Sequence, residues 1–464
     1  MSHEPLVTEE MIARQPPEAQ AIIRILLAKI EQLEARINRT SRNSSKPPSA
    51  EHPHAQPKPS RKRSDRKPGG QPGHDKHART LIPVEHCAAV VPLKPENCRR
   101  CGTSLRGSDP EPLRHQVWEL PEIQPFVTEY RRHRLCCAHC GATTCAVLPA
   151  GVPESQAGPR LTALVALLMG NYRQSKRRTA TFLAQCFNIP ASPGWIVKLQ
   201  NRATRALAPA YDELKRRLPG EPVLGIDESP TKEGPLKSWL WTFVAENFTL
   251  FAQRTTRGAT VLDEHLSGSF AGIVTCDRAK MYWRLPKLQW CWSHLERDFQ
   301  GLADHPNGQV QRLGKDLLGP TGELFGLWRR CRDGTLTRTG LKRLLRPIRE
   351  KIEGLLLRGV FSGNTKLAGM CGELHAHRDR LWRFAESEGV EPTNNASERA
   401  LRPAVIWRKL SFGTQSASGS RFVETLLSVV ETCRQQSRSV FEYLTTALEA
   451  HNANQPVPSL LAGV

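Results

Sequence analysis

The sequence predicts a multidomain α/β protein, and three observations carry that reading. Two short apolar runs, Val223-Leu224-Gly225-Ile226 and Gly272-Ile273-Val274-Thr275-Cys276, each end in an aspartate, Asp227 and Asp277. Buried strands read this way when they present a carboxylate at a sheet edge. A third acid, Glu398, stands in a basic helix start, Pro392-Thr393-Asn394-Asn395-Ala396-Ser397-Glu398-Arg399-Ala400-Leu401-Arg402-Pro403. Around these segments the composition changes often enough to divide 464 residues into several units.

The first unit, 1–40, is a helix in which Ile23, Leu26, Ile30, Leu33 and Ile37 recur in alternating steps of three and four, the seam of a short coiled coil or the core stripe of an amphipathic helix. This predicts self-association, as a homodimer or larger. From 41 to 80 the chain turns to Ser, Pro, Gly, Lys and Arg and cannot bury enough surface to fold. It reads as a disordered basic arm whose Arg61, Lys62, Arg63, Arg66 and Lys67 neutralise phosphates. Residues 81–150 hold Cys98-x2-Cys101-Gly102 and Cys137-x2-Cys140-Gly141, two knuckles offering four thiolates to a structural zinc ion. Cys136, His139, Cys145, His86 and Cys87 crowd the ligand choice, and Cys137 is preferred to Cys136 because it alone keeps the two-residue spacing.

Residues 151–218 read as helical. Leu183, Ala184 and Phe187 form an apolar face, Asn188-Ile189-Pro190 breaks it, and Ser192-Pro193 opens a second helix with a cap and a first-turn proline. Asn188 tolerates the left-handed conformation that the turn needs. The pattern resembles a helix-turn-helix carrying Arg202 and Arg205 toward DNA, with an ordinary helical hairpin as the alternative.

The segment 219–412 is expected to be the catalytic domain. Trp239 to Val244 and Leu250 to Gln253 read as paired antiparallel strands. A helix follows near Thr260–Leu266, then the strand ending at Asp277, a strand at Leu288 to Trp292, and a helix from Ser293 to Phe299. That order is the order of a ribonuclease-H-like core. Helical periodicity over about 303–388 marks an insertion separating Asp277 from Glu398 in sequence, and 413–464 is a C-terminal helical region used for packing.

Composition sets the partner class. A net charge of +21 favours a polyanion, with DNA first, over a small acidic molecule. No run has the length of a membrane span, and Glu4, Glu9 and Glu10 stand where a signal peptide is basic, so a cytoplasmic, nucleoid-associated protein is expected. The 13 cysteines are odd in number, and Cys186, Cys276 and Cys433 sit singly in apolar context, which favours reduced thiols over a disulfide framework.

Three carboxylates on such a core suit phosphoryl transfer, in which two Mg²⁺ or Mn²⁺ ions about 4 Å apart stabilise the attacking and leaving oxygens. Hard cations accept a few Asp and Glu oxygens and keep their waters. Asp227, Asp277 and Glu398 are therefore the expected ligands. Arg402 stands one helical turn after Glu398, where it can face the same phosphate. His294 opens the helix after the last strand and either orients substrate or caps that helix. Glu228 should point to the opposite face from Asp227. Pro403 should kink or stop its helix.

Seven segments together resemble the transposases of the insertion sequence 66 type: Asn43-Ser44-Ser45-Lys46-Pro47-Pro48-Ser49, Lys67-Pro68-Gly69-Gly70-Gln71-Pro72-Gly73-His74, the two knuckles, Ile226-Asp227-Glu228-Ser229-Pro230, Cys291-Trp292-Ser293-His294-Leu295-Glu296-Arg297-Asp298-Phe299, and Asn394 to Pro403. The resemblance covers nearly the whole chain. It implies a DDE transposase whose Asp227, Asp277 and Glu398 bind divalent metal, cleaving at element ends and joining them to target DNA, with accessory proteins encoded in the same element. After Asp277, Arg278-Ala279-Lys280 precedes Tyr282 where the family usually has Gly-Tyr; Leu410-Ser411 stands where it has Asn-Trp, and Glu296-Arg297 where it has a basic pair. A non-catalytic DNA-binding regulator, or a decayed or domesticated transposase, is the second reading.

Overall fold

The computed structural model describes residues 7–44, 79–266 and 270–461. The chain divides into two compact units, Met1–His52 with Pro125–Val464, and Pro53–Gln124. The expected arm residues Arg61, Lys62, Arg63, Arg66 and Lys67 lie outside the described residues.

In the larger unit the elements are α1 (Glu9–Ala13), α2 (Pro17–Ile37), β1 (Arg134–Cys136), β2 (Thr143–Cys145), α3 (Pro159–Gly170), α4 (Lys176–Phe187) and α5 (Pro193–Arg217). The central part follows with β3 (Val223–Glu233), β4 (Leu236–Val244), β5 (Thr249–Arg254), α6 (Thr260–Leu266), β6 (Ile273–Cys276), β7 (Leu288–Trp290) and α7 (Trp292–Ala303). Then come α8 (Gly308–Arg332), α9 (Arg338–Val360), α10 (Thr365–Ala376), α11 (Asp379–Glu386), α12 (Asn395–Ser411), α13 (Ala417–Gln435) and α14 (Val440–Asn452).

Five strands form one mixed sheet in the order β5-β4-β3-β6-β7. The hairpin turn at Gly234, whose φ is +56°, makes β3 and β4 antiparallel, and β5 continues the meander. After α6 the chain crosses over, and β6 joins β3 in parallel, followed by β7. Pairing Leu224 with Val274 and Gly225 with Thr275 sets a constant offset of fifty residues. Continued two residues on, that register brings Asp227, inside the central strand β3, beside Asp277, which directly follows β6; contrary to the sequence expectation, β3 does not end at Asp227 but continues to Glu233, where its pairing with β4 closes the hairpin. Alternation along β3 buries Leu224, Ile226 and Glu228 on one face, while Gly225, Asp227 and Ser229 face the other.

The α4–α5 hairpin has the local chemistry that the sequence predicts. Ser175 and Ser192 cap the two helices through their side chains, and Asn188 closes α4 with a φ of +53°. Its core face is Thr179, Ala180 and Leu183; of the face expected from sequence, Leu183 is buried and Phe187 half-buried, whereas Ala184 is exposed. Helix α2, by contrast, has no buried residue, and Leu26, Ile30, Leu33 and Ile37 are about half exposed or more.

Of the kink or stop expected at Pro403, the stop does not occur. Helix α12 runs through it to Ser411. A mid-helix proline forfeits one backbone bond, here to the carbonyl of Arg399, and that residue is exposed to water. Ala400, Leu401 and Ala404 meanwhile pack with Leu240, Phe251 and Leu427, which holds the helix to the sheet.

The C-terminal region does more than pack. Edge strand β5 would expose a row of unpaired N–H groups. Helix α13 covers them with side chains: the N–H groups of Thr249, Phe251 and Gln253 donate to Thr432 Oγ1 (3.1 Å), Ser428 Oγ (2.8 Å) and Glu424 Oε2 (2.8 Å). Three residues spaced one helical turn apart thus meet alternate residues of a strand. Ser428→Ala leaves the buried Phe251 N–H unpaired and is expected to cost about 1–3 kcal/mol in urea unfolding; a change within error would show that the edge needs no cover.

Candidate metal-binding site

The site is built where β3, β6, the start of α7 and the start of α12 meet. Gly225 decides the approach of α12. A Cβ there would lie 2.4 Å from Ser397 Oγ and 3.2 Å from Asn394 Oδ1, so only glycine leaves room for the helix start on the strand. Asn394 and Ser397 are buried. Asn394 Nδ2 donates to the Ile226 carbonyl at 2.7 Å, its Oδ1 accepts from Ser397 Oγ at 2.8 Å, and its backbone N–H donates to Cys291 Sγ at 3.2 Å. The Trp292 N–H donates to the Pro392 carbonyl at 2.8 Å, tying α7 to the same point. One turn into α12, Glu398 is thereby carried toward the part of β3 that bears Asp227, close enough for its charge to act on that carboxyl.

The electrostatics are those of crowded anions. Burial holds the Asp227 carboxyl well above the usual carboxylate range, and the neighbouring charges of Glu228, Asp277 and Glu398 add to the rise. Its Oδ1 accepts from the Glu228 N–H at 2.9 Å. Asp277 Oδ1 accepts from the Ala279 N–H at 2.8 Å, which turns the chain at the strand end. Arg278, the residue in place of the family's glycine, then reaches Asp298 Oδ2 at 2.5 Å and Glu373 Oε1 at 3.4 Å, linking the strand end to α7 and α10.

Glu228 does point away from Asp227, yet it belongs to the same cluster. Burial raises its carboxyl, with Asp277 adding to the effect. Tyr282 donates its hydroxyl to Glu228 Oε2, and Arg257 pairs with Oε1. Arg257 lies 4.0 Å from Asp277 Oδ2 and packs 5.1 Å over the Trp239 ring. Sequence reasoning missed Arg257 and noted Tyr282 only as a displaced tyrosine after Asp277, because no local pattern links either to Glu228.

His294 lies in the first turn of α7, its Nδ1 3.7 Å from Glu398 Oε1, and Arg297 is also 3.7 Å from that oxygen. Burial lowers the pKa of His294, reinforced by Arg297, so the ring tends to the neutral form. Both His294 Nδ1 and Glu398 Oε1 are buried atoms without hydrogen-bond partners. Arg402 is exposed one turn beyond Glu398. Arg408 is fixed to β3, donating to Ser229 Oγ at 3.0 Å and to the Pro230 carbonyl. Orphaned carboxylate oxygen and mutual repulsion are what a bound divalent cation relieves, so Asp227, Asp277 and Glu398 suit a hard metal ion.

The two knuckles fall in different units, and each has the same backbone. The Cys98 N–H donates to the Thr103 carbonyl and the Gly102 N–H to the Cys98 carbonyl, both at 2.9 Å. The Cys137 N–H donates to the Ala142 carbonyl and the Gly141 N–H to the Cys137 carbonyl, again at 2.9 Å. Gly102 and Gly141 have φ of +75° and +72°. Cys137 is thus the counterpart of Cys98, while Cys136 ends strand β1. Hydrogen bonds from Thr103 lower the Cys101 thiol, and backbone bonds from Cys140 and His139 lower Cys137.

Of the two arginines expected to meet DNA, Arg205 is exposed. The Arg202 guanidinium is held within the chain by Ser155 Oγ and by Asn452 Oδ1, the latter at 2.5 Å. An exposed basic run at the start of α4, Lys176-Arg177-Arg178, was not singled out by sequence.

Residues 154–421 match the model of the transposase IS66 family. The chain belongs to that family. Residues 4–80 match a family of unknown function. Among curated proteins the chain is similar to three uncharacterized proteins of Sinorhizobium fredii (strain NBRC 101917 / NGR234). It is 26% identical to y4qI over 46% of this chain and 43% of that protein. It is 23% identical to y4hP over 80% and 73%, and 27% identical to y4jO over 41% and 57%. The chain therefore spans about half the length of two of these relatives. Among the described residues no helix is long and apolar enough to cross a membrane.

A raised carboxyl pKa means that ionising Asp227 costs the folded state more than the unfolded one. The relative stability is complete below the unfolded pKa and is lost as pH rises toward the folded value. Without divalent ions, Asp227→Asn should therefore raise the melting temperature at neutral pH by about 1–3 °C, with the gain vanishing in acid. A lowered melting temperature would contradict the crowding.

Proposed function

We propose that the chain is a DDE-type DNA transposase of an insertion sequence, binding element ends and catalysing metal-dependent cleavage and strand transfer. The observation that supports this reading is the register that sets Asp227 in β3 beside Asp277 just past β6, with Glu398 near enough for its charge to help raise the Asp227 carboxyl, within the stretch matched by the family. The strand order, three antiparallel strands then a crossover to two parallel ones, supports a ribonuclease-H-like core. It puts the second aspartate beside the first, and the helical insertion α8–α11 returns the chain to deliver the glutamate.

Asp227, Asp277 and Glu398 would hold Mg²⁺ or Mn²⁺, which when bound activates the attacking oxygen and stabilises the leaving one. The chain's own contribution is placement and charge. Asn394 and Ser397 fix Glu398, and Glu228 with Tyr282 fixes Arg257 beside Asp277, where its guanidinium is suited to a phosphate oxygen. Arg402 sits on the exposed side of α12, one turn outward, and suits the DNA backbone beyond the scissile bond. His294, tending to neutral, can accept or donate a proton near Glu398.

DNA would be gripped by Lys176, Arg177, Arg178 and Arg205 on the α4–α5 hairpin and by the basic arm. The thiols of Cys98, Cys101, Cys137 and Cys140 suit structural zinc, because each Cys-x2-Cys knuckle offers two soft ligands at the spacing that zinc takes. The bare apolar stripe of α2 suits pairing with a second copy.

The test is cleavage and joining of element-end DNA in Mg²⁺, with binding followed by gel shift and any accessory proteins supplied. Asp277→Asn should bind normally and lose about a thousandfold in rate, roughly 4 kcal/mol of transition-state stabilisation. Glu228→Gln should be milder. Near-normal cleavage by Asp277→Asn would favour the non-catalytic DNA-binding reading.

A further inference from the structure

We propose that Cys291, His294 and Glu398 form a second metal site, suited to a borderline divalent ion such as Zn²⁺ or Co²⁺, and that an ion held there withdraws Glu398 from the aspartates. Among the described residues these three are the group whose sulfur, nitrogen and oxygen ligand atoms all lie within 4.8 Å of one another. Cys291 is the N-cap residue of α7 and His294 follows in its first turn, so the Cys-x2-His spacing turns both side chains toward the start of α12. The His294 N–H donates to the Cys291 carbonyl at 3.1 Å, which fixes that turn.

Two of the donor atoms, His294 Nδ1 and Glu398 Oε1, are buried without hydrogen-bond partners. The third, Cys291 Sγ, is buried and accepts the Asn394 N–H, the kind of outer contact that steadies a metal-bound thiolate. One sulfur, one nitrogen and one oxygen donor suit Zn²⁺ or Co²⁺ and are refused by Mg²⁺, which takes oxygen ligands. Bonds of about 2.0–2.3 Å require the three side chains to draw closer, and Glu398 must leave Arg297. On coordination the Cys291 thiol gives up its proton to solvent, leaving water for the fourth position. Binding at this site stands on the geometry alone; the withdrawal of Glu398 rests on the carboxylate reading given above.

The experiment uses the full chain, stripped of metal and titrated with Co²⁺, with absorption reporting thiolate-to-cobalt charge transfer. Knuckle cysteines also bind Co²⁺, so the readout is the difference between the wild type and the variants Cys291→Ala and His294→Gln, each checked for fold by circular dichroism. Each variant should take up about one equivalent less, and Cys291→Ala should lose part of the charge-transfer band. Superimposable titrations for wild type and His294→Gln, which replaces a partly exposed helix residue and should fold, would overturn the site. A second arm follows bound Mn²⁺ by electron paramagnetic resonance. Added Zn²⁺ should release Mn²⁺ from the wild type at a lower concentration than from His294→Gln, in which only direct exchange at the carboxylates remains. Cobalt binding without that release overturns the withdrawal of Glu398, whereas a wild type that never binds Mn²⁺ overturns the carboxylate reading instead.

Discussion

The missing side chain at Gly225 is the constraint on which the site depends. Because nothing projects from the strand at that point, the start of α12 settles against β3 and Asn394 reaches the Ile226 carbonyl. The same asparagine meets Cys291 through its backbone, so three segments far apart in sequence are tied within a few bonds. Glu398 is one turn away from this knot. Its position follows from the packing of buried, uncharged groups and not from attraction to the aspartates, which repel it. That division of labour lets a fold hold like charges together before any cation arrives.

Such an arrangement stores a cost in the site and recovers it elsewhere. Asp227 and Glu228 are both raised by burial and by neighbouring anions. Around them the core is dense: Trp241, Phe243, Tyr282, Trp290 and Trp292 are essentially without exposure. Helix α13 seals the far edge of the sheet with hydroxyl and carboxylate groups, and Arg254 neutralises the buried Glu424 there at 3.2 Å. The sheet is thus stabilised at the edge opposite the anions, in keeping with functional sites that are locally unfavourable in an otherwise well-packed frame.

Much of this was legible in the sequence. Apolar runs before Asp227 and Asp277 marked the start of β3 and the whole of β6, although β3 continues past Asp227 to Glu233; the helix Thr260–Leu266 was bounded correctly, and Asn188 and Ser192 declared a turn and a cap by their own chemistry. These are local signals. What stayed hidden depends on partners distant in the chain. Glu228 reads as a residue on the wrong face until Tyr282 and Arg257 close around it. Arg202 reads as a DNA contact until Ser155 and Asn452 take its guanidinium. Pro403 reads as a stop because propensity knows nothing of the apolar face that holds α12 to the sheet. Gly225 carries no sequence signal of its own, since a glycine in a strand is explained only by what approaches it.

The central claim is that contact between β3 and α12, made possible by Gly225, assembles the divalent-metal site. Electron paramagnetic resonance of Mn²⁺ with the wild type and with Gly225→Val tests it most directly, circular dichroism confirming the fold of each. The account predicts that the wild type binds Mn²⁺ and that the valine variant, folded but with the start of α12 lifted from the strand, does not. Equal Mn²⁺ binding by the two proteins would contradict it.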